Sequence, residues 1–362
     1  MQQSSLYNII FDARMYHHSG IGSYIRNLVG QYVQQGISRD MVLLGDRDIP
    51  DQGLKTKHCH NKIYGLAEQT FLPYSVRAAS LFHAPHYNAP VLFPGKLVVT
   101  IHDLIHLNFY DQLPSLFHKL YAKIMMGIVV NRADAIMTDS DWTRNDILRR
   151  WPQAGPKIKT VYCGVPEPIE HPNPKTVLDR YGINKPYILY LGLLKRHKNI
   201  IRLVKSFETA QRSLKVKYQL VIAGDAKSDD AGLVRYVADC SSRQLIRLTG
   251  FVPGADLPAL YGQAAVFAFP STAEGFGLPP LEAMSYGVPV ISSRASCLPE
   301  ILKDAPRYFD PLNIDDMATC MEGAVRDESW RLQAIEKGIT VAAGYRWENT
   351  ARECLDVYRS LI

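Results

Sequence analysis

Glu274 and Glu282 flank a glycine-containing loop and are the residues of this sequence best placed to do chemistry. The apolar run 264–269 predicts a buried strand before the loop, and residues 281–284 predict a helix after it. A strand, a glycine loop and a helix in this order direct backbone N–H groups and the positive end of a helix dipole to one point. Residues 275–278 could therefore hold a diphosphate, with sugar hydroxyls on one carboxylate and ribose hydroxyls on the other. Each residue alone has a simpler structural explanation, but the whole arrangement favours anion binding.

A second loop concentrates positive charge at the start of a helix. Residues 195–198 read Lys-Arg-His-Lys and lie between a predicted strand, 187–191, and a predicted helix, 200–210. Cations at a helix N-terminus oppose the helix dipole, and a bound anion would remove that conflict. Phosphate binding is therefore preferred over the alternative, a solvated run of charge.

A glycine loop also follows the first predicted strand, 7–11. Gly20 and Gly22 open a predicted helix, 23–34, and resemble a dinucleotide-binding fingerprint, but Ile25 stands where the third glycine belongs. This disfavours a hydride-transfer cofactor and an oxidoreductase. A loop that brings backbone close to a ligand and a simple tight turn remain equally good explanations.

His102 follows the predicted buried strand 97–101. Ligands of open parallel sheets bind at the carboxyl ends of the strands, and an imidazole there can contact a sugar hydroxyl or a phosphate. A single histidine at a strand end is more often structural. The glycine loop that accompanies His102 is what favours a functional role for it.

Strands alternate with helices in both halves of the 362-residue chain, which predicts two doubly wound α/β domains. A proline-rich stretch separates them, so we predict an N-terminal domain over 1–163, a linker over 164–186, and a C-terminal domain over 187–345. A final helix, 346–362, is expected to pack back on the N-terminal domain.

Composition narrows the function classes. The formal charge of +6 suits anionic small molecules or an anionic membrane surface, whereas nucleic acid would need denser basic runs. Six scattered cysteines, no apolar run of spanning length and no signal-peptide pattern at the start predict a cytoplasmic location.

Ser115 predicts the start of a helix through Asn131, in which Lys119 and Lys123 could rest on the inner membrane face. The alternative is a core helix with one solvent-exposed stripe.

Several motifs taken together resemble the retaining, nucleotide-sugar-dependent glycosyltransferases of family 4. Glu274 to Glu282 matches the family's Glu-x7-Glu motif, and supporting matches are the glycine loop 20–22, residues 100–104, residues 192–199 and residues 345–351. The resemblance covers nearly the whole chain. It implies the GT-B fold, in which two Rossmann-like domains face a central cleft.

The resemblance also implies roles for individual residues. Lys198 would neutralise the donor diphosphate, Glu274 would lie near the transferred sugar, and Glu282 would bind the donor ribose. Many members carry arginine where this chain has Leu193, and Arg196 is expected to supply that charge instead. The predicted catalytic residues are His102, Lys198 and Glu274. The predicted donor-binding residues are Gly22, Arg196, Lys198, Phe251, Val252, Gly275, Phe276, Gly277, Leu278 and Glu282.

The sequence therefore predicts a retaining hexosyltransferase. It would move mannose from GDP-mannose, or another sugar from another nucleotide sugar, to a glycan or lipid-linked acceptor in surface-polysaccharide assembly. No metal or other cofactor is expected, since cations and backbone amides would hold the diphosphate. The alternatives are a transferase that uses a UDP-sugar and a non-catalytic nucleotide-sugar-binding protein of the same fold.

Overall fold

A computed structural model of the protein describes residues 9–37, 40–46, 49–50, 53–59, 63, 66–108, 116–224 and 231–362. The chain forms two compact units. The first comprises residues 1–164 and 346–362, and the second comprises residues 165–345.

The first unit is built on a parallel sheet. Its elements in chain order are β1 (Ile9–Asp12), α1 (Ile21–Gln34), β2 (Met41–Gly45), β3 (Lys55–His58), α2 (Leu66–Ser75), β4 (Leu81–Ala84), β5 (Lys96–Ile101), α3 (Ile105–Asn108), α4 (Leu116–Arg132), β6 (Ala135–Thr138), α5 (Asp141–Arg150) and β7 (Ile158–Thr160). The described strands lie in the order β3-β2-β1-β4-β5-β6-β7, and every pair is parallel. All residues of β1, β4 and β6 are buried, as expected for a parallel sheet covered on both faces.

The second unit repeats this plan. Its elements are α6 (Pro174–Arg180), β8 (Tyr187–Leu191), α7 (Ile200–Ser213), β9 (Gln219–Ala223), α8 (Ala231–Asp239), β10 (Ile246–Gly250), α9 (Leu257–Gly262), β11 (Val266–Phe269), α10 (Leu278–Ser285), β12 (Val290–Ser293), α11 (Leu298–Leu302), β13 (Arg307–Phe309), α12 (Ile314–Arg326) and α13 (Glu328–Ala343). Its described strands lie in the order β10-β9-β8-β11-β12-β13, again all parallel. The predicted fold class, two doubly wound Rossmann-like halves, is confirmed.

Two predicted element starts fall outside the described residues. The first strand was predicted from residue 7, but the description begins at Ile9. Ser115, the predicted cap of the helix through Asn131, is likewise outside it, whereas α4 itself begins at Leu116. Ser140 does cap α5, because its hydroxyl accepts a hydrogen bond from the Thr143 N–H at 3.2 Å.

The segment predicted as a linker is part of the second unit from residue 165 onward. Within it α6 packs against α9, and Arg180 and Tyr181 bind the Asp256 carboxylate at 2.7 and 2.8 Å. From residue 165 onward, the proline-rich stretch therefore forms an ordered edge of the second unit and is not a free linker.

The last helix, α14 (Trp347–Arg359), belongs to the first unit. It packs against α1, and the buried Tyr358 hydroxyl lies 2.9 Å from the Tyr32 hydroxyl and 2.6 Å from Nδ1 of His83. Gly164 passes so close to this helix that a Cβ there would lie 2.1 Å from the Trp347 nitrogen. A glycine is therefore required where the chain leaves the first unit.

Candidate active site

Glu274 lies in the loop between β11 and α10 of the second unit, and Glu282 lies in α10 itself. Gly277 caps α10 with φ of 93°, and a Cβ at this position would lie 2.8 Å from a side-chain carbon of Leu298. Both the backbone angle and the space therefore require glycine. Prolines follow Leu278 at the next two positions and have no backbone N–H. Donors for an anion must therefore come from residues 275–278 and not from the rest of the first helical turn.

Lys198 and Glu274 form an ion pair. The Lys198 Nζ lies 2.6 Å from Oε1 and 2.8 Å from Oε2 of Glu274. Their side chains are only 16% and 10% exposed, and Nζ lies 5.9 Å from the centre of the Phe269 ring. Two residues predicted to hold different parts of one donor are thus in direct contact with each other.

Hydrogen bonds to backbone carbonyls connect the loop of residues 195–199 to the loop that contains Glu274. The Thr272 N–H and hydroxyl both donate to the His197 carbonyl, at 2.8 and 3.0 Å. Asn199 adopts φ of 62° and donates through its amide to the carbonyls of Pro270, at 3.1 Å, and Pro311, at 2.7 Å. The sequence reasoning assigned no role to Thr272 or Asn199. Asn199 carried a usable signal, since asparagine is enriched at positive φ where a loop enters a helix.

Residues after β12 support the other side of the glutamate loop. The Glu274 N–H donates to the Ser296 hydroxyl at 3.0 Å, and the Cys297 thiol donates to the carbonyls of Glu274 and Phe276. Burial and the nearby Glu274 carboxylate raise the pKa of the Cys297 thiol well above its ordinary value. The thiol therefore keeps its proton and acts as a donor to this loop.

Glu282 lies in α10 and is bound by a tyrosine. The Tyr261 hydroxyl donates to Oε2 of Glu282 at 2.7 Å, and the Tyr261 ring stacks on Tyr286 with centroids 5.4 Å apart. Burial raises the pKa of the Glu282 carboxyl, and the hydrogen bond from Tyr261 offsets part of that effect. Tyr261 thus orients one carboxylate oxygen of Glu282.

The remaining predicted donor residues have different degrees of exposure. Arg196 is exposed in a short 3₁₀ turn that includes Lys198, and Phe251 is 71% exposed. Val252 and Phe276 are buried, and the Phe276 ring meets the Tyr345 ring edge-on at 5.6 Å. The side chains of Arg196 and Phe251 are therefore accessible to a ligand, whereas a contact of Phe276 through its backbone stays a prediction.

In the first unit, His102 lies at the carboxyl end of β5 with both ring nitrogens engaged. Nδ1 is 2.5 Å from Oδ2 of Asp139, and Nε2 is 3.0 Å from the Pro85 carbonyl oxygen. Burial alone would lower the pKa of His102, but the Asp139 carboxylate outweighs it and raises the pKa above its ordinary value. Asp139 follows β6, the neighbouring strand, and sequence reasoning missed it. A polar residue after a second adjacent strand was the available signal.

Gly22 has a packing explanation of its own. A Cβ at this position would lie 2.6 Å from the Tyr16 carbonyl oxygen and 2.9 Å from that of Met15. Gly20 has φ of 71° at the cap of α1. Both glycines are therefore accounted for by the turn into α1, and a ligand contact at Gly22 stays a prediction.

The residues that the structure describes include no group of three or more histidine, cysteine, aspartate or glutamate side chains that could hold a metal ion. Within the same residues, no helix combines the length and apolar character that crossing a bilayer requires. The expected independence from metal stays a prediction.

Comparisons with known proteins connect this geometry to an activity. Residues 18–167 match the model of Glycosyltransferase Family 4, and residues 179–341 match that of Glycosyl transferases group 1. The chain is 30% identical to O-antigen chain mannosyltransferase B of Escherichia coli, over 78% of this chain and 74% of that protein. It is 28% identical to the serotype-specific mannosyltransferase WbdA of Escherichia coli over 74% of this chain, which corresponds to 34% of that longer protein. Among solved structures, Anabaena HepE in complex with UDP and glucose has a TM-score of 0.80 at 15% identity, covering 98% of this chain and 100% of that chain.

Proposed function

The chain belongs to glycosyltransferase family 4, and on this premise we propose that it transfers a hexose, with mannose favoured, from a nucleoside-diphosphate sugar to a glycan or lipid-linked acceptor. Both relatives are named mannosyltransferases, which supports the sugar, and the one named an O-antigen chain mannosyltransferase supports a place in surface-polysaccharide assembly. The observation that carries the proposal is the Lys198–Glu274 pair beside the 275–278 loop. This arrangement places a cation, a carboxylate and backbone amides where a nucleotide sugar could bind, and release of nucleotide distinguishes a transferase from a protein that only binds the donor.

The second unit supplies the groups that stabilise the leaving nucleotide. Breaking the bond between the anomeric carbon and the β-phosphate oxygen leaves negative charge on that phosphate, and preorganised cations and N–H groups lower the barrier. Lys198, the exposed Arg196 and backbone amides of 275–278 fill this role without a metal. When donor binds, the diphosphate replaces the Glu274 carboxylate as the partner of Lys198. The Glu274 carboxylate then accepts a hydrogen bond from a hydroxyl of the transferred sugar. Glu282, held by Tyr261, accepts a hydrogen bond from the donor ribose.

Transfer proceeds with retention of the anomeric configuration. In this proposal the Glu274 carboxylate binds a hydroxyl of the transferred sugar, so it is not placed as the nucleophile of a double displacement. The acceptor oxygen therefore attacks the face from which the nucleotide departs. Its bond to the anomeric carbon forms as the carbon–phosphate oxygen bond breaks, and the departing β-phosphate takes the acceptor's proton. The anomeric configuration of the product, read from its NMR coupling constants, tests this step, and an inverted product would contradict it.

The donor is identified by binding and turnover together. Thermal unfolding is measured with GDP-mannose, UDP-glucose and ADP-glucose, and release of nucleotide is measured with the same three donors. We expect the largest stabilisation and turnover with GDP-mannose. Preference for UDP-glucose would select the alternative donor class, and binding without release of nucleotide from any donor would favour a non-catalytic protein.

An apolar surface on α4 supports peripheral contact with a membrane from the cytoplasmic side. One face of the helix is buried in the core of the first unit, and the opposite face exposes Leu120, Ile124 and Ile128 at 56%, 52% and 44%. These residues are four apart, so they form one stripe. Lys123 is exposed beside them, and residues 116–132 include no aspartate or glutamate. The side chain of Lys119, the other predicted contact, lies outside the described residues.

A basic side chain near an anionic surface contributes about 1 kcal/mol, screened by salt, so binding is expected to be reversible. Co-sedimentation with phosphatidylglycerol-containing vesicles at low and high salt tests this contact. Ile124→Asp should reduce binding strongly, whereas Leu332→Asp, at a 64% exposed position on α13, is the matched control. No binding of the wild type at low salt would refute membrane contact and leave the transferase proposal intact.

A further inference from the structure

The imidazole of His102 is held between two atoms that accept hydrogen bonds. The Pro85 carbonyl oxygen at Nε2 has no proton to give, so Nε2 must donate. At Nδ1 one proton is shared with the Asp139 carboxylate at 2.5 Å, and histidine is the stronger base of the two. Protons therefore reside on both ring nitrogens, and the ring is an imidazolium.

We propose that Asp139 is a positioning residue that keeps His102 doubly protonated and fixed in one ring orientation, so that His102 acts as a permanent cation at the carboxyl end of the first sheet. It does not act as a proton acceptor. This differs from the sequence expectation that His102 exchanges hydrogen bonds with a substrate hydroxyl, because both ring nitrogens already have protein partners. Only the consequence for turnover rests on the proposed transferase function.

The surrounding contacts hold this arrangement in place. The Thr143 hydroxyl donates to the His102 carbonyl at 3.1 Å, and the Tyr24 ring meets the imidazole edge-on at 5.0 Å. Among the described residues, His102 is the cation paired with Asp139, whose side chain is 5% exposed. Burial and the Asp139 carboxylate raise the pKa of the nearby Cys163 thiol, which stays neutral, so His102 is the charged partner of Asp139 among the described residues.

The other titratable groups near the ring are neutral or more distant. Burial lowers the pKa of His83 and of His86 to about 3, so neither adds a competing positive charge at neutral pH. Burial raises the pKa of the Tyr24 hydroxyl and of the Cys163 thiol, so both stay protonated. Asp103 adds a smaller favourable charge. The titratable groups around the His102 ring are thus Asp139, Asp103, His83, His86, Tyr24 and Cys163.

The direct test is the protonation state of the ring in the full-length protein without ligand. The ¹⁵N-labelled imidazole of His102 is followed by long-range ¹H–¹⁵N NMR from pH 5.5 to 8.5, and its signals are assigned with His102→Gln. We expect the wild type to remain doubly protonated at pH 7.5. Asp139→Asn keeps the shape and an acceptor oxygen but removes the charge, so its titration midpoint should move to lower pH. Asp139→Glu should restore the midpoint toward wild type.

The matched control is Asp103→Asn, which removes a neighbouring charge without breaking the ring contact and should move the midpoint less. A wild-type ring that is a neutral tautomer at pH 7 would overturn the proposal. So would an unchanged midpoint in Asp139→Asn. If that variant does not fold, the wild-type spectrum and Asp139→Glu decide between the same outcomes.

Turnover of GDP-mannose provides the second readout. Above the midpoint, the protonated fraction falls about tenfold per pH unit, so kcat of Asp139→Asn should fall about tenfold more than that of wild type between pH 7 and 8. A purely structural defect would lower kcat equally at both pH values and would contradict the proposal. Absence of turnover in the wild type would refute the transferase function, whereas the NMR result would still stand.

Discussion

In each unit a predicted site residue is part of an ion pair, and the two pairs differ in the role of the partner residue. In the second unit, Lys198 pairs with Glu274, and both residues were predicted to bind the donor. In the first unit, His102 pairs with Asp139, a residue without a predicted ligand role, and its second ring nitrogen is bound to a backbone carbonyl. An anion can replace Glu274 at Lys198 without leaving a buried group unpaired, provided that Glu274 gains a hydroxyl. Replacing Asp139 would leave its buried carboxylate without a partner.

This difference indicates which pair exchanges partners during the reaction. The contact between Lys198 and Glu274 is expected to open when donor binds and to reform when nucleotide leaves. The contact between His102 and Asp139 is expected to persist throughout. Removing the carboxylate of the pair should therefore tighten nucleotide binding in the second unit but not in the first.

The largest expected effect follows from removing the exchangeable cation. Lys198→Ala should lower the rate of transfer roughly a hundredfold, because loss of one preorganised charge at the leaving group costs on the order of 3 kcal/mol of barrier. Lys195→Ala, an exposed lysine of the same loop, is the matched control and should change the rate little. Steady-state kinetics with GDP-mannose measures both. A Lys198→Ala enzyme within a few-fold of wild type would mean that the loop is a solvated charge run.

Removing the carboxylate partner should have a smaller and opposite effect on nucleotide binding. Glu274→Gln releases the full charge of Lys198 to a diphosphate, so the Kd for GDP should fall roughly tenfold, about 1.4 kcal/mol, while transfer is strongly impaired. Asp139→Asn, its counterpart in the first unit, should not tighten GDP. Isothermal titration calorimetry measures both affinities. Weaker GDP binding by Glu274→Gln would show that the pair does not compete with the diphosphate.

A third variant concerns a carboxylate that is oriented but not paired with a cation. Burial raises the pKa of Glu282, so its neutral form stabilises the folded state at low pH, and this contribution is lost as pH rises through the folded pKa. Glu282→Gln keeps an acceptor for Tyr261 and should raise Tm at pH 7 by about 2–4 °C if the charge costs about 1 kcal/mol, with less gain near pH 4.5.

Tyr261→Phe is the control for that variant. It removes the hydrogen bond to the Glu282 carboxylate and should lower Tm more at pH 7 than near pH 4.5, because the ionised form loses its donor. Differential scanning calorimetry at the two pH values gives both results. A gain for Glu282→Gln that is equal at both pH values would show that ionisation of Glu282 does not affect stability.

The sequence predicted the fold well where local signals were strong. The bounds of β8 were predicted to the residue, because buried parallel strands are continuous apolar runs ended by polar or glycine residues. β3 was not predicted, since Lys55–His58 has no apolar residue and lies exposed at the sheet edge. Its strand pairing comes from β2, which is a tertiary effect.

The site was predictable in its residue types but less so in its contacts. The glycine loop and its glutamates have a local pattern, so their common location could be expected. The direct contact of Lys198 with Glu274 joins residues 76 positions apart, and that of His102 with Asp139 joins residues 37 positions apart. Such contacts depend on which strands are neighbours in the sheet, and a single sequence does not contain that order.

The smallest expected effect on the rate of transfer is that of removing metal ions. If the cations and amides of the second unit neutralise the diphosphate, EDTA should change the rate of transfer less than about twofold, because one preorganised cation already supplies on the order of 3 kcal/mol. Initial rates with GDP-mannose, before and after chelation and dialysis, measure this, and Lys198→Ala with added Mg²⁺ is the informative control. If Mg²⁺ restored the variant, a metal could replace the lysine in this site. A wild-type enzyme that required added Mg²⁺ or Mn²⁺ would refute the assignment of diphosphate neutralisation to Lys198 and Arg196, while the pairing of His102 with Asp139 would be unaffected.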